Sequence, residues 1–266
     1  MTDLKDIARQ VRILTIRSLA QATSGHPGGS LSMIEIITML HCEVMQPQPY
    51  HPDHAQDIFI LSAGHKVPSL YALWGVLGWV DPADVLTLRQ LGSPFQGHPS
   101  YPHQKWLHCS SGSLGIAASV SVGMALGRKQ MGNRGRVYCL IGEGDLNEGI
   151  TLESLRIASH YKLDNLCFIL DFNQKMRDGE SKIMVKPKQE LEAFGLDIWT
   201  VDGHDFSALS QTFKMSQSII RKPVGIIART VKGKGVAAYE SDPSGGHGSL
   251  TITDGDLQSF LEELEA

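Results

Sequence analysis

Residues 141–149 read IGEGDLNEG, with three glycines and three carboxylates directly behind the strand-like run RVYCL. A glycine-rich turn at a strand end lets backbone N–H groups approach a phosphate, and the following helix adds the positive end of its dipole. Glu143 would repel a bare phosphate from such a turn, unless a divalent cation lies between them. Mg²⁺ takes about six oxygens, commonly one or two protein carboxylates together with phosphate oxygens and water. Asn173 lies 173 − 143 = 30 residues further on, at the end of the next strand-like run, NLCFILD (165–171). Adjacent parallel strands would set its amide oxygen beside Glu143, with a backbone carbonyl such as that of Lys175 within reach. The competing account is purely structural: a tight strand-to-helix turn at Gly142 and Gly144, a solvated Glu143, and Asn173 as a turn residue.

Among the 11 histidines, His26 in SGHPGG, His65 in SAGHK, His98 in QGHPS and His247 in GGHGS each follow a glycine in loop-like sequence. Neutral imidazoles in loops exchange hydrogen bonds with hydroxyls and move protons near neutral pH. No two of these four sit at a short zinc-ligand spacing. His41, His51, His54, His103, His108, His160 and His204 have no comparable context and read as surface or packing residues.

The elements that must hold these groups are legible from periodicity. Leu4, Ile7, Val11, Leu14 and Leu19 form one stripe of a helix over 4–22, followed by a polar loop at 23–30 and a helix from Leu31 to about Val44. Strands are expected at 57–64, 136–142, 165–171, 197–203 and 223–230, with helices at 67–78, 113–127, 146–161 and 206–219. The Pro-, His- and Ser-rich stretch 94–112 has no periodicity and reads as a functional loop. Continuous apolar strands alternating with helices predict an α/β fold, a mostly parallel sheet with helices on both faces. Ligands of such sheets bind outside the carboxyl ends of the strands. There the chain offers SAGH (62–65), GEGD (142–145), DFNQ (171–174) and ARTVKGKG (228–235). No repeat or linker divides residues 1–266, so a single domain is expected.

Composition narrows the classes. With 24 Lys+Arg against 28 Asp+Glu, the formal charge of −4 argues against a nucleic-acid binder. No apolar run is long enough to span a bilayer, and MTDLKDIARQVRIL is not a secretory signal. Cys42, Cys109, Cys139 and Cys167 lie far apart with no CxxC pair, and are expected as reduced, largely buried thiols. The expectation is a cytoplasmic protein with neither a membrane nor a nucleic-acid partner.

Taken in order, SGHPGGSLSMIEI, LSAGHKVPSLYALW, LRQLGSPFQGHPS, GSLGIAASVSVGMALG, IGEGDLNEG with DFNQKMRDG, and ARTVKGKGVAAYES with GGHG resemble the thiamine-diphosphate domain of transketolase. The resemblance runs from about residue 10 to 250. It implies thiamine diphosphate as cofactor, with Mg²⁺ or Ca²⁺ held by Glu143, Asn173 and the Lys175 carbonyl. It implies that Gly144 offers its N–H to the diphosphate, that His65 and His247 contact the cofactor, and that Gly112, Ser113 and Leu114 lie along it. His26, His98 and His247 would line the substrate channel and, with His65, serve catalysis; Glu148 matches a cofactor-associated glutamate near the subunit interface.

Three departures stand out. Glu143 replaces the family's usual Asp, which moves the carboxylate outward by ~1.5 Å. Ile116 and Ala117 stand where Gln-Gly is common. The resemblance also ends with the first domain, although the cofactor's aminopyrimidine and the sugar phosphate are bound largely by later domains. The implied protein is the N-terminal subunit of a split transketolase. It would need a C-terminal subunit with the pyrimidine-binding domain, in an α2β2 heterotetramer acting on sugar phosphates. The terminal LQSFLEELEA, without a trailing linker, fits a natural chain end. Two alternatives stay open: transfer of the C2 unit to a non-sugar acceptor, and a non-catalytic cofactor-binding or regulatory subunit.

Overall fold

The computed structural model describes residues 3–45, 56–176, 179–180, 186–246 and 251–265. Helix α1 (Leu4–Ala22) leads into two short helices, α2 (Pro27–Ser32) and α3 (Ile34–Met39), and a π-helical turn at Leu40–Val44. Strand β1 (Ile58–Leu61) is followed by a 3₁₀ turn at Gly64–Lys66, α4 (Val67–Val76), α5 (Pro82–Val85) and α6 (Ile116–Gln130). Strand β2 (Val137–Gly142) precedes α7 (Glu143–Leu146) and α8 (Gly149–His160), then β3 (Leu166–Phe172) and a small hairpin of β4 (Lys175–Met176) and β5 (Gly179–Glu180). The chain continues through α9 (Pro187–Ala193), β6 (Asp197–Asp202), α10 (Phe206–Ser216), β7 (Val224–Arg229), α11 (Ala237–Ser241) and α12 (Asp254–Glu265).

The main sheet has the order β1-β2-β3-β7-β6, and every pair in it is parallel. Alternate strand residues face opposite layers, and each layer is apolar because parallel strands are covered on both sides. Phe59, Leu61, Tyr138, Leu140, Ile169 and Ile226 pack into one layer with Ile16 and Leu19 of α1, Ile36 of α3, Leu70 of α4 and Phe213 of α10. Ile60, Cys139, Ile141, Phe168 and Leu170 pack into the other with Ala118 and Ala125 of α6 and Leu155 and Ala158 of α8. Each fully buried Leu, Ile or Phe contributes about 1.5–3 kcal/mol by leaving water. All four cysteines are free, Cys139 and Cys167 being buried in the strands.

The five expected strands are present, although β1 stops at Leu61, short of Gly64. The segment expected as loop to Ser30 and helix from Leu31 breaks differently. Pro27 starts α2 inside the predicted loop, because its fixed φ suits a first helical turn and its missing N–H costs nothing there. The second helix then divides at Met33 and ends in a π turn. Helix α6 starts at Ile116, later than expected, behind Gly115 in a left-handed conformation (φ 81°). The GEGD turn forms the single helical turn α7. Helices α5, α9 and α11 have 4, 7 and 5 residues and carry too little periodicity to be read from sequence.

Candidate active site

Register places the strand ends level. Gly142 pairs with Asp171, Asp171 with Ala228, and the Ser62 N–H donates to the Leu140 carbonyl. The loops after β1, β2, β3 and β7 therefore emerge side by side. They close, with the start of α2, around a cavity of about 330 Å³. Its walls are His26, Gly29, Ala63, His65, Lys66, His98, Leu114, Gly142, Glu143, Gly144, Asp145, Asn173, Lys175 and Lys232.

Two buried carboxylates brace the floor. Asp145 accepts from the Gly142 N–H and, through its other oxygen, from the Ser62 hydroxyl and the Gly115 N–H at 2.6–2.8 Å. It thereby ties β1, β2 and the start of α6 together. Gly115 must be glycine there: its φ is positive, and a Cβ would lie 2.6 Å from Ile150 and 2.8 Å from Thr151. Asp171 pairs with the Lys66 ammonium at 2.6 Å and accepts from the hydroxyls of Ser32 and Thr230. Burial opposes its ionisation, but Lys66 and the two hydroxyls prevail and hold the carboxyl below the usual carboxylate range.

Glu143 is 5% exposed and reaches across to β3, where Oε2 accepts from the backbone N–H groups of Asn173 (3.2 Å) and Gln174 (2.7 Å). The Asn173 Oδ1 accepts from the Lys175 N–H at 3.2 Å, and the Lys175 carbonyl accepts from Lys232 Nζ at 3.3 Å. Carboxylate, amide and carbonyl oxygens thus share one wall, the chemistry a hard cation requires. The residues fit Mg²⁺ or Ca²⁺ bound jointly with phosphate oxygens, since the wall supplies one carboxylate and two neutral donors. Among the described residues no group of three or more His, Cys, Asp or Glu side chains could hold a metal, in keeping with a donor set that has only one acid.

Positive charge faces this wall. Burial, and then the charge of Lys66, pulls the Lys232 amine down to about 8, against the opposing pull of Asp171 and Glu143. The Lys175 ammonium turns away and donates to the carbonyls of Glu240 and Asp242. Across the cavity the rings of His26 and His65 lie 5.0 Å apart. Burial and then the Arg89 charge depress the His98 imidazole, which favours its neutral form.

Of the residues singled out from sequence, the cavity gathers His26, His65, His98, Leu114, Glu143, Gly144, Asn173 and Lys175. Gly112 sits behind His98, whose ring would be 3.5 Å from a Cβ there, and Ser113 is exposed. Glu148 caps α8 and is exposed, outside the cavity. His247 lies outside the described residues, as do His51 and His54. The departure at Ile116 and Ala117 does not touch the cavity: Ile116 faces outward and Ala117 is buried against the sheet. Lys66, Asp171, Asp145 and Lys232 were missed. The available signal was their place: Asp145, Asp171 and Lys232 lie in the loops already picked out at the strand ends, and Lys66 directly follows SAGH.

A larger groove, about 780 Å³, runs along the edge of the sheet past Trp79, Trp106, Tyr101 and His41. It borders Gln56 and Asp57, before the amino end of β1, away from the carboxyl ends where ligands of such sheets bind. Its His41 is engaged by the Ile37 carbonyl, and burial lowers that imidazole to about 4, so it is no proton carrier near neutrality.

Comparison with known proteins agrees with this geometry. The profile of the family described as "Transketolase, thiamine diphosphate binding domain" matches residues 4–262. Transketolase-like protein 2 of Mus musculus is 38% identical over 252 residues, which cover 92% of this chain and 40% of the mouse protein. Transketolase of Homo sapiens is 37% identical over 246 residues, 91% of this chain and 39% of its own. The crystal structure of transketolase from Campylobacter jejuni superposes with a TM-score of 0.90 at 28% identity, over 100% of this chain and 43% of that one. The chain spans about 40% of the length of the curated relatives it matches. No helix among the described residues is long and apolar enough to cross a membrane.

Proposed function

This chain belongs to the family of transketolase thiamine diphosphate binding domains, and on that premise we propose that it supplies the diphosphate half of a ketol-transferring active site. In this reading it moves a two-carbon ketol unit from a ketose phosphate to an aldose phosphate in the cytoplasm. It acts with a C-terminal subunit that carries the pyrimidine-binding domain, in an α2β2 assembly. The observation that carries the proposal is the convergence, in one cavity, of the oxygen wall of Glu143, Asn173 and Lys175 with Lys66, Lys232 and three histidines.

Thiamine diphosphate, when bound, supplies the nucleophilic carbon and the electron sink that cleavage beside a ketose carbonyl requires. The protein's part is binding, orientation and proton handling. Glu143, Asn173 and the Lys175 carbonyl would hold Mg²⁺ or Ca²⁺, whose charge neutralises the diphosphate. Lys232 and the Gly144 N–H would bind diphosphate oxygens directly, with Lys66 keeping Asp171 neutralised beneath them. His26, His65 and His98 also line the cavity, where neutral imidazoles can hydrogen-bond sugar hydroxyls and hold or release protons on the reacting oxygens.

The test is reconstitution with the presumed C-terminal subunit, thiamine diphosphate and Mg²⁺, following transfer from xylulose 5-phosphate to ribose 5-phosphate. Transfer that requires both chains supports the proposal. Consumption of a non-sugar acceptor alone would move the reading to the C2-transfer alternative. Absence of metal-dependent cofactor binding in the complex would overturn the catalytic reading altogether.

A further inference from the structure

The loop after β7 carries Lys232 into the cavity, and it is anchored on both sides of that residue. Thr230 donates to Asp171, and the Val231 N–H donates to His204 Nε2 at 2.8 Å. The Gly233 N–H donates to the Gly28 carbonyl at 3.0 Å, and the Lys234 carbonyl accepts from Arg12 Nε at 3.1 Å. His204 and Arg12 meet at one carboxylate. Glu35 on α3 accepts from Arg12 through Oε1 and pairs with His204 Nδ1 through Oε2 at 2.9 Å.

This arrangement fixes the His204 tautomer. A ring nitrogen that accepts from a backbone N–H carries no proton, so Nε2 is bare and Nδ1–H donates to Glu35. The imidazole is a rigid spacer between a buried carboxylate and the Val231 amide; the side chains of Arg12, Glu35 and His204 are 9%, 9% and 14% exposed. The turn after β6 sets its position: the Gly203 N–H donates to the Arg229 carbonyl at 2.7 Å, and the His204 N–H to Asp202 at 2.9 Å. Nothing in this network touches the cavity directly.

We infer that His204, held by Glu35 and Arg12, is a positioning residue for diphosphate binding, which it serves by fixing the Val231 backbone so that Lys232 points into the cavity. The inference rests on the proposed role of Lys232 toward the diphosphate. Residues of α1, α3 and the turn after β6, distant in sequence, thereby set the aim of one ammonium group.

The test titrates the full chain calorimetrically with pyrophosphate in the presence of Mg²⁺, alongside thermal melting. Lys232→Ala should weaken binding about tenfold or more, as for loss of a charge-assisted hydrogen bond. His204→Ala should weaken it about fivefold, the worth of one net hydrogen bond. In the Lys232→Ala background, adding His204→Ala should change affinity less than ~2-fold, because both act through the same group. His204→Gln, whose amide can both donate to Glu35 and accept from Val231, should recover binding to within ~2-fold of wild type. Independent, multiplying effects of the two alanine variants would overturn the inference, as would a His204→Ala chain that binds as wild type. A wild-type chain that takes no Mg²⁺-pyrophosphate, or a Lys232→Ala chain that binds normally, instead defeats the diphosphate role of Lys232 and this inference with it.

Discussion

Replacing Lys66 with Met tests the charged floor of the cavity most directly. The Lys66–Asp171 pair is 2.6 Å long, and its side chains are 5% and 0% exposed. Methionine keeps the stem that packs on Gly29, where a Cβ would lie 3.1 Å from Lys66 Cγ, so packing changes little and the lost element is charge. Removing one partner of a buried pair costs about 3–5 kcal/mol, because the survivor stays buried without its counter-charge. Ser32 and Thr230 still donate to Asp171, which sets the expectation at the lower end, ~3 kcal/mol. Urea unfolding at pH 7 with linear extrapolation measures this directly. The pH dependence adds a second constraint. Asp171 is held below its unfolded value, so the stability it contributes is present above the unfolded carboxylate range and is lost as pH falls through the folded value. Without Lys66 the folded value rises, less of that stability exists to be lost, and the gap between variant and wild type narrows as the solution is acidified. Adding Asp171→Asn to Lys66→Met should recover part of the loss by removing the stranded charge. A Lys66→Met chain within ~1 kcal/mol of wild type at pH 7 would refute the reasoning, since a broken buried pair is expected to cost several times that.

Glu143→Ala and Asn173→Ala should each abolish Mg²⁺-dependent binding of thiamine diphosphate, read by calorimetry, while the far-UV spectrum stays native; wild-type affinity in either would remove that residue from the metal wall. His26→Ala should leave cofactor affinity unchanged and lower turnover of the reconstituted enzyme by about 10²–10⁴-fold, the usual worth of a proton-transfer group. His41 is depressed from 6.5 to about 4 by burial, so the unfolded chain takes up its proton first as pH falls, and stability is lost from pH ~6.5 down towards 4. This amounts to ~2 kcal/mol at pH 5, and His41→Gln, which keeps a donor for the Ile37 carbonyl, should flatten that part of the unfolding profile.

Strands β1, β2, β3 and β7 were legible as continuous apolar runs that the sheet buries on both faces, and β6, only partly buried, by its position in the alternation. The sheet order was not legible, because crossover spacing does not say on which side of a strand the next one lies. The pairing of β2 with β3 needed for Glu143 and Asn173 to meet is what the 30-residue interval implied. The start of α2 was not legible, because GHPGGS has loop composition, and only Pro27 in a first helical turn makes it helical. Nor were Lys66 and Lys232. A lysine next to a glycine-rich loop reads as a solvated surface charge until three-dimensional packing shows it 3–4% exposed. His204 failed for a related reason: its partners Glu35 and Val231 are 169 and 27 residues away, so no local pattern could connect them.

The three acids of IGEGDLNEG show how little residue type alone decides. Asp145 lies one helical turn beyond the strand end and faces inward, and there it becomes a fully buried strut for Ser62, Gly115 and Gly142. Glu148, three residues on, directly precedes α8 and is exposed to solvent. Glu143 sits at the strand end itself, the one position of the three from which a side chain both lines the cavity and reaches the end of β3. Its second methylene has a use in that place. It carries Oε2 to the N–H groups of Asn173 and Gln174, so the residue that would ligate the metal also latches the loop that would supply the other two ligands. The glutamate therefore couples the order of the 173–175 loop to the geometry of the proposed metal wall. A carboxylate shorter by ~1.5 Å would have to choose between the two tasks.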